Sequence, residues 1–110
     1  MNYATTEEAA QTKLTGDITY QPNGDNTYML CTTKTLKDQV KLIEFVVVEI
    51  STNEIIYTPK ERIRNVSWNS NEELKIEYMP GVAESGKTDY SYMFNVVTQK
   101  KVNKSSNNKP

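Results

Sequence analysis

The stretch LIEFVVVEI, Leu42 to Ile50, decides the fold class of this chain. Read with a period of two, one face carries Leu42, Glu44, Val46, Val48 and Ile50, and the other Ile43, Phe45, Val47 and Glu49. Both faces are mainly apolar, so neither is built for water alone. A β-branched run of this length suits a strand covered on both sides. A buried helix is also apolar all round. Valines lose rotamer freedom in a helix, however, and Ser51-Thr52-Asn53 follows at once as a turn signal. The run is therefore read as the central strand of a β domain. Lys41, Glu44 and Glu49 serve as gatekeepers against aggregation of so apolar a strand.

Outward from this strand the chain reads as alternating segments joined by turns. Upstream, Leu14 to Tyr20 reads as a first strand, with Leu14, Ile18 and Tyr20 on one face. PNGDN at 22–26 reads as a turn in which Asn-Gly takes positive backbone angles. Thr27 to Thr35 returns as the second strand of this hairpin. Leu36 to Lys41 is a connector whose Leu36, Val40 and Ile43 have the spacing of one helical turn. Downstream, Ser51 to Glu54 turns the chain into Ile55 to Thr58, and Pro59 interrupts. Arg62 to Trp68 and Glu73 to Met79 are strands around an Asn69-Ser70-Asn71 turn. The second alternates, with Leu74, Ile76 and Tyr78 inward and Lys75 and Glu77 outward. A loop from Pro80 to Asp89 leads to a last strand, Tyr90 to Thr98. The expected fold is all-β, an antiparallel meander, sandwich or small barrel of six to seven strands with little or no helix.

The flanks read differently. Residues 1–13 form a frayed leader in which Thr5 and Glu8 match a capping box, so a short helix starts there. Residues 14–99 form the single domain. Residues 100–110, KKVNKSSNNKP, read as a disordered basic tail with Val102 as its only apolar residue. The 110 residues suffice for one domain. The formal net charge of −1 gives no electrostatic footing for nucleic acid, so no nucleic-acid partner is expected. No run of about 20 apolar residues is present, so no membrane span is expected. No signal peptide opens the sequence, which leaves the compartment open, with an extracytoplasmic site reached after signal removal as one option.

The motif that invites a functional reading is GVAESGKT at 81–88, which fits the phosphate-loop pattern in full. In that reading Lys87 reaches the outer phosphates and Thr88 holds magnesium. A phosphate loop must open a helix, yet DYSYMFNVV at 89–97 alternates as a strand. A glycine-rich hairpin loop is the simpler reading. Asn65-Val66-Ser67 and Asn103-Lys104-Ser105 fit the glycosylation acceptor and matter only in a eukaryotic secreted protein. The chain has no histidine and one cysteine. Zinc sites and the usual nucleophile–base pairs therefore lack their parts, and the chain is read as non-catalytic, with no cofactor, no metal and no catalytic residue. Cys31 is read as a small buried hydrophobe.

Seven tyrosines and one tryptophan remain. Trp68, Tyr90 and Tyr92, with Arg62 and Arg64, are the candidate ligand or partner surface, because aromatic and Arg-bearing patches recognise proteins and sugars. The competing role for the aromatics is cross-strand core pairing. The leading expectation is a binding or accessory module that takes a protein or a glycan through an aromatic face or an edge strand. The alternatives are a lipid-like carrier barrel lined by Phe45, Tyr92 and Phe94, and a nucleotide-binding enzyme using the 81–88 loop.

VVVEISTNEIIYTP and NVSWNSNEELKIEYMPG resemble the strand–turn–strand repeats of β-propeller blades. Val66, Ser67, Trp68, Leu74 and Ile76 carry the match, within Phe45 to Gly81. A propeller needs several blades and no internal repeat is present, so the resemblance implies one blade-like antiparallel meander. The chain is also similar to small exported all-β domains of bacteria.

Overall fold

The computed structural model describes residues 5–37, 39–60, 62–79 and 90–103. They form one short helix, α1 (Thr6–Gln11), and eight strands: β1 (Thr19–Pro22), β2 (Tyr28–Lys37), β3 (Val40–Glu49), β4 (Glu54–Tyr57), β5 (Arg62–Trp68), β6 (Glu73–Met79), β7 (Ser91–Asn95) and β8 (Lys100–Asn103). All belong to one antiparallel sheet in the order β1-β2-β3-β5-β6-β7-β8, with β4 on β3 beside that path. The fold class is the expected one, with eight strands in place of six or seven. β1 and β8 end the path unpaired to each other, so the sheet does not close into a barrel.

β3 organises this sheet. It pairs along its whole length with β2. Its other edge is divided: β4 takes Val47 to Glu49, and β5 meets it at Ile43↔Ile63. The sheet therefore forks at β3 and bends back over one of its own faces. A bulge at Val47/Val48 lets Ile56 and Tyr57 of β4 both turn toward the larger core. The tip of the β5–β6 hairpin reaches β1, where the Trp68 indole N–H donates to Gln21 O at 2.8 Å.

Each face of β3 has its own core. Phe45 and Val47 join Leu30, Ile63, Val66, Leu74, Ile76, Tyr92, Phe94 and Val96 in the larger cluster. Val46 and Val48 join Cys31, Leu14, Ala9 and Ala10 in the smaller one. The cover on this second face is α1. Thr5 caps it by accepting the Glu8 N–H at 3.0 Å, and Thr6 Oγ1 lies 3.0 Å from Asn53 Oδ1 on the β3–β4 turn. Six residues make too short a helix to persist alone. It persists here because Ala9 and Ala10 are small enough to lie flush on β3 and are fully buried.

Several elements differ from the expectation. The leader expected to fray carries this packed helix. The strand expected from Leu14 begins only at Thr19, because Gly16 at φ 83° redirects the chain. Leu14 instead packs with α1. The helical turn expected at 36–41 is absent: β2 and β3 run on to Lys37↔Val40, and Gln39 at φ 64° makes the reversal. The last expected strand stops at Asn95, whose side chain accepts the N–H groups of Val97 and Thr98 at 2.9 Å each. Gln99 at φ 58° then starts β8, so residues expected in the basic tail pair with β7, as in Met93↔Val102. Residues carrying the blade resemblance face one another as Val66↔Ile76 and Trp68↔Leu74. The 81–88 loop lies outside the described residues, as do 1–4 and 104–110.

The PNGDN turn also works differently. The positive φ belongs to Asn26 at 61°, not to Asn23 or Gly24. Asn23 is buried, and its amide oxygen accepts from the Thr27 and Tyr28 N–H groups at 2.8 and 3.1 Å. Its amide nitrogen donates to Thr27 Oγ1 and to Asn71 O, both at 2.8 Å. Asn71 returns the contact, accepting from the Asp25 N–H and donating to its carboxylate at 2.9 Å each. Gly24 serves close approach: a Cβ there would lie 3.2 Å from Asn71 Oδ1.

Candidate functional site

The five residues expected to form a surface divide into two groups. Trp68 is half-buried, packs against the larger core and spends its N–H on Gln21. Tyr92 is 5% exposed and lies in the core. Its hydroxyl is 2.7 Å from that of Tyr57, and Lys101 Nζ sits 4.8 Å from the centre of its ring. Tyr90 is half-buried, in edge contact with Tyr78 at 5.9 Å. Tyr57 stacks on Phe94 at 3.9 Å and meets Phe45 at 6.0 Å. These rings fill the interior that a carrier barrel would leave open.

Arg62 and Arg64 are exposed. Arg64 is the extra residue of a bulge, since Ile63 pairs with Tyr78 and Asn65 with Glu77. It helps line a groove of about 440 Å³ with Lys34, Thr35, Leu36, Lys41, Leu42 and Ile43. Trp68 stands at the far end of the seven-residue β5, roughly 20 Å from Arg62 at strand rise, so these two do not share one patch; Tyr90 lies beside Tyr78, which pairs with Ile63 between Arg62 and Arg64.

The groove is at the free end of the β2–β3 hairpin. The register Lys34↔Ile43 and Leu36↔Lys41 puts these four side chains on one face, continuous with Phe45 and Val47. That face is covered further along by β5 to β7 but open here, where Leu36 is 67% exposed. Among the described residues, Lys34, Lys41 and Arg64 make no ion pair.

Among the described residues the adjoining edge of β2 is also open. Ile50 N donates to Thr27 O, and Asn23 N to Tyr28 O, each at 3.0 Å. Odd-numbered residues of β2 thus direct their backbone groups toward β3, and even-numbered ones toward β1. β1 covers only Met29 to Thr32. The N–H and C=O groups of Lys34 and Leu36 therefore point out of the sheet, and no described strand pairs with them. Where β1 stops, a second cavity of about 510 Å³ opens between Thr15-Gly16-Asp17 and Thr32 to Lys34. The Thr33 hydroxyl donates to Thr15 O at 3.1 Å and holds its wall.

At the opposite end of the sheet the described residues form a cluster of the other sign. A cavity of about 390 Å³ there is bordered by Asp25, Glu49 and Glu72 around Tyr28. Burial, then Glu49, Asp25 and Glu72, push the Tyr28 phenol up. Hydrogen bonds from Thr27 and Asn71 hold the Asp25 carboxyl below the usual range. Among the described residues, no group of three or more His, Cys, Asp or Glu side chains converges as a metal site, and no helix is long and apolar enough to cross a membrane.

Lys34, Leu36 and Lys41 were not among the residues expected to act. Their signal was a matched alternation, Lys34-x-Leu36 and Lys41-x-Ile43, about a two-residue reversal. Reading 36–41 as a helical connector hid it. Comparison with family models, with curated proteins and with solved structures finds no match to this chain.

Proposed function

We propose that this domain is a non-catalytic binding module that takes an extended segment of a partner protein as an added strand on β2. The observation that carries this reading is the unfinished edge: a ten-residue strand covered by β1 over four residues, with the outward backbone groups of Lys34 and Leu36 paired to no other described strand. An added strand satisfies such groups and lets alternate side chains enter flanking pockets. A glycan platform needs exposed ring faces, and Trp68 and Tyr92 are committed to the fold, so a protein partner is favoured over a sugar. An exported bacterial setting suits an accessory domain of this kind.

The test is hydrogen exchange on isotope-labelled protein with a panel of blocked eight-residue peptides in which every second residue is threonine and the others alternate between valine and a variable residue, glutamate, threonine or lysine, so that one face carries the variable residue and valine in turn. Strand addition protects the Lys34 and Leu36 amides with at least one peptide. In Leu36→Pro, which removes one of the two donors, that protection weakens at Lys34 as well. If no peptide protects either amide, the reading fails.

A further inference from the structure

We infer that the segment received by this edge is acidic, with carboxylates alternating about an apolar side chain. The inference rests on the strand-addition reading and names the chemistry of the partner. In an antiparallel addition, residues opposite Lys34 and Leu36 turn their side chains to the same face as those two, about 5 Å away. That face is the groove. It presents Lys34, Lys41 and Arg64 around exposed Leu36, with Ile43 as its floor. Among the described residues none of these cations makes an ion pair, and the carboxylate that comes nearest the edge is Asp17, which lines the neighbouring cavity with Lys34. The carboxylates of β3 are placed elsewhere: Glu44 is on the opposite face, opposite Thr33, and Glu49 is at the other end, opposite Tyr28. The geometry matches a segment with one carboxylate opposite Lys34, an apolar residue opposite Leu36, and a further carboxylate within reach of Lys41 and Arg64.

A second copy of this chain is a poorer occupant. Two β2 edges pairing antiparallel about Lys34 would bring lysine against lysine, and pairing about Thr35 would set Lys34 opposite Leu36, so neither register gives Lys34 a carboxylate.

Affinities of the three peptides are measured by calorimetry at low and high salt, alongside the exchange experiment. Three partly exposed charge pairs are worth roughly tenfold in affinity, and salt screens them. The expected result is that the glutamate peptide binds about tenfold more tightly than the threonine peptide, that the lysine peptide is weaker still, and that the differences shrink in 0.5 M salt. The Lys41→Glu/Arg64→Glu variant, its fold checked by thermal unfolding, reverses the order in favour of lysine. If all three peptides protect Lys34 and Leu36 equally and bind equally, the acidic assignment is overturned while strand addition stands. If none protects, both fall. A concentration-dependent dimer that protects these amides without peptide overturns the assignment in favour of self-pairing.

Discussion

Val46 and Val47 are adjacent on β3 and both fully buried, yet they lie in different cores. Truncating each to alanine separates the two. Either change removes two methyl groups, about 1.6 kcal/mol of transfer free energy. If the walls stay rigid, roughly 50 Å³ is vacated, adding about 1.2 kcal/mol. Val47 is walled by strands: it is opposite Leu30 on β2 and Tyr57 on β4, and Tyr57 is locked on Phe94. That site cannot collapse, so Val47→Ala is expected to cost about 2.8 kcal/mol. Val46 is opposite Cys31, in the cluster that α1 covers with Ala9 and Ala10. A six-residue helix held by few contacts can settle inward, so Val46→Ala is expected to cost nearer 1.6 kcal/mol. Urea titration measures both, with m unchanged if the unfolded ensemble is unaffected. A cost below about 0.5 kcal/mol for Val46→Ala, the range of surface substitutions, would refute the claim that α1 seals this face. A cost equal to that of Val47→Ala would refute the claim that α1 yields.

Other substitutions probe the turns and the buried thiol. Asn23→Ala strands the Thr27 and Tyr28 N–H groups and the Asn71 carbonyl together, and is expected to cost about 2–3 kcal/mol in urea unfolding; a loss under 1 kcal/mol would mean that water replaces the side chain. Asp25 has a folded-state pKa below its unfolded value of about 3.9. Its contribution to stability is thus complete above that value and is lost as pH falls through the lower, folded one. Asn71→Ala removes one of the hydrogen bonds responsible, so the Asp25 pKa followed by NMR should rise, and an unmoved value would sever the proposed link. Burial pushes the Cys31 thiol up to about 12. Labelling by a thiol reagent at pH 8 should therefore track unfolding and accelerate with urea, whereas prompt labelling of the native protein would show that the smaller core is open.

The parts of the fold legible in the sequence are those where local pattern and tertiary role coincide. The central strand, β5 and β6 could be read because alternation, β-branching and turn residues agreed along each of them. The capping box could be read at Thr5, but not the helix's value, because two alanines look like weak cover until they lie on Val46 and Cys31. β8 was hidden for the opposite reason. Lys100 and Lys101 look like tail, yet backbone pairing with β7 needs no apolar side chain, and the reversal that permits it depends on Asn95 and Gln99. The aromatic candidates could not be sorted in the sequence because a tyrosine reads alike whether its ring is exposed or stacked. The partners that consume Tyr92 and Trp68, namely Tyr57 and Gln21, are more than thirty residues away in the chain.

Charge follows the same geometry. With a net charge of −1 the chain gives no hint of steering, but the fold gathers Asp25, Glu49 and Glu72 at one end of β2–β3 and Lys34, Lys41 and Arg64 at the other. The reason is topological. The β1–β2, β3–β4 and β5–β6 turns all fall at one end, and turns collect Asp, Asn and Glu. The β2–β3 reversal falls at the other, beside β5's bulge. Lysines near an unfinished edge have a defensive role in any sheet, since they discourage pairing with a like strand. The same lysines discriminate between partners: they penalise a basic or identical strand and favour an acidic one. Where the open edge and the charge coincide, protection against the wrong strand and selection of the right one are the same arrangement of side chains. The peptide-charge reversal described above separates this selective role from bare protection.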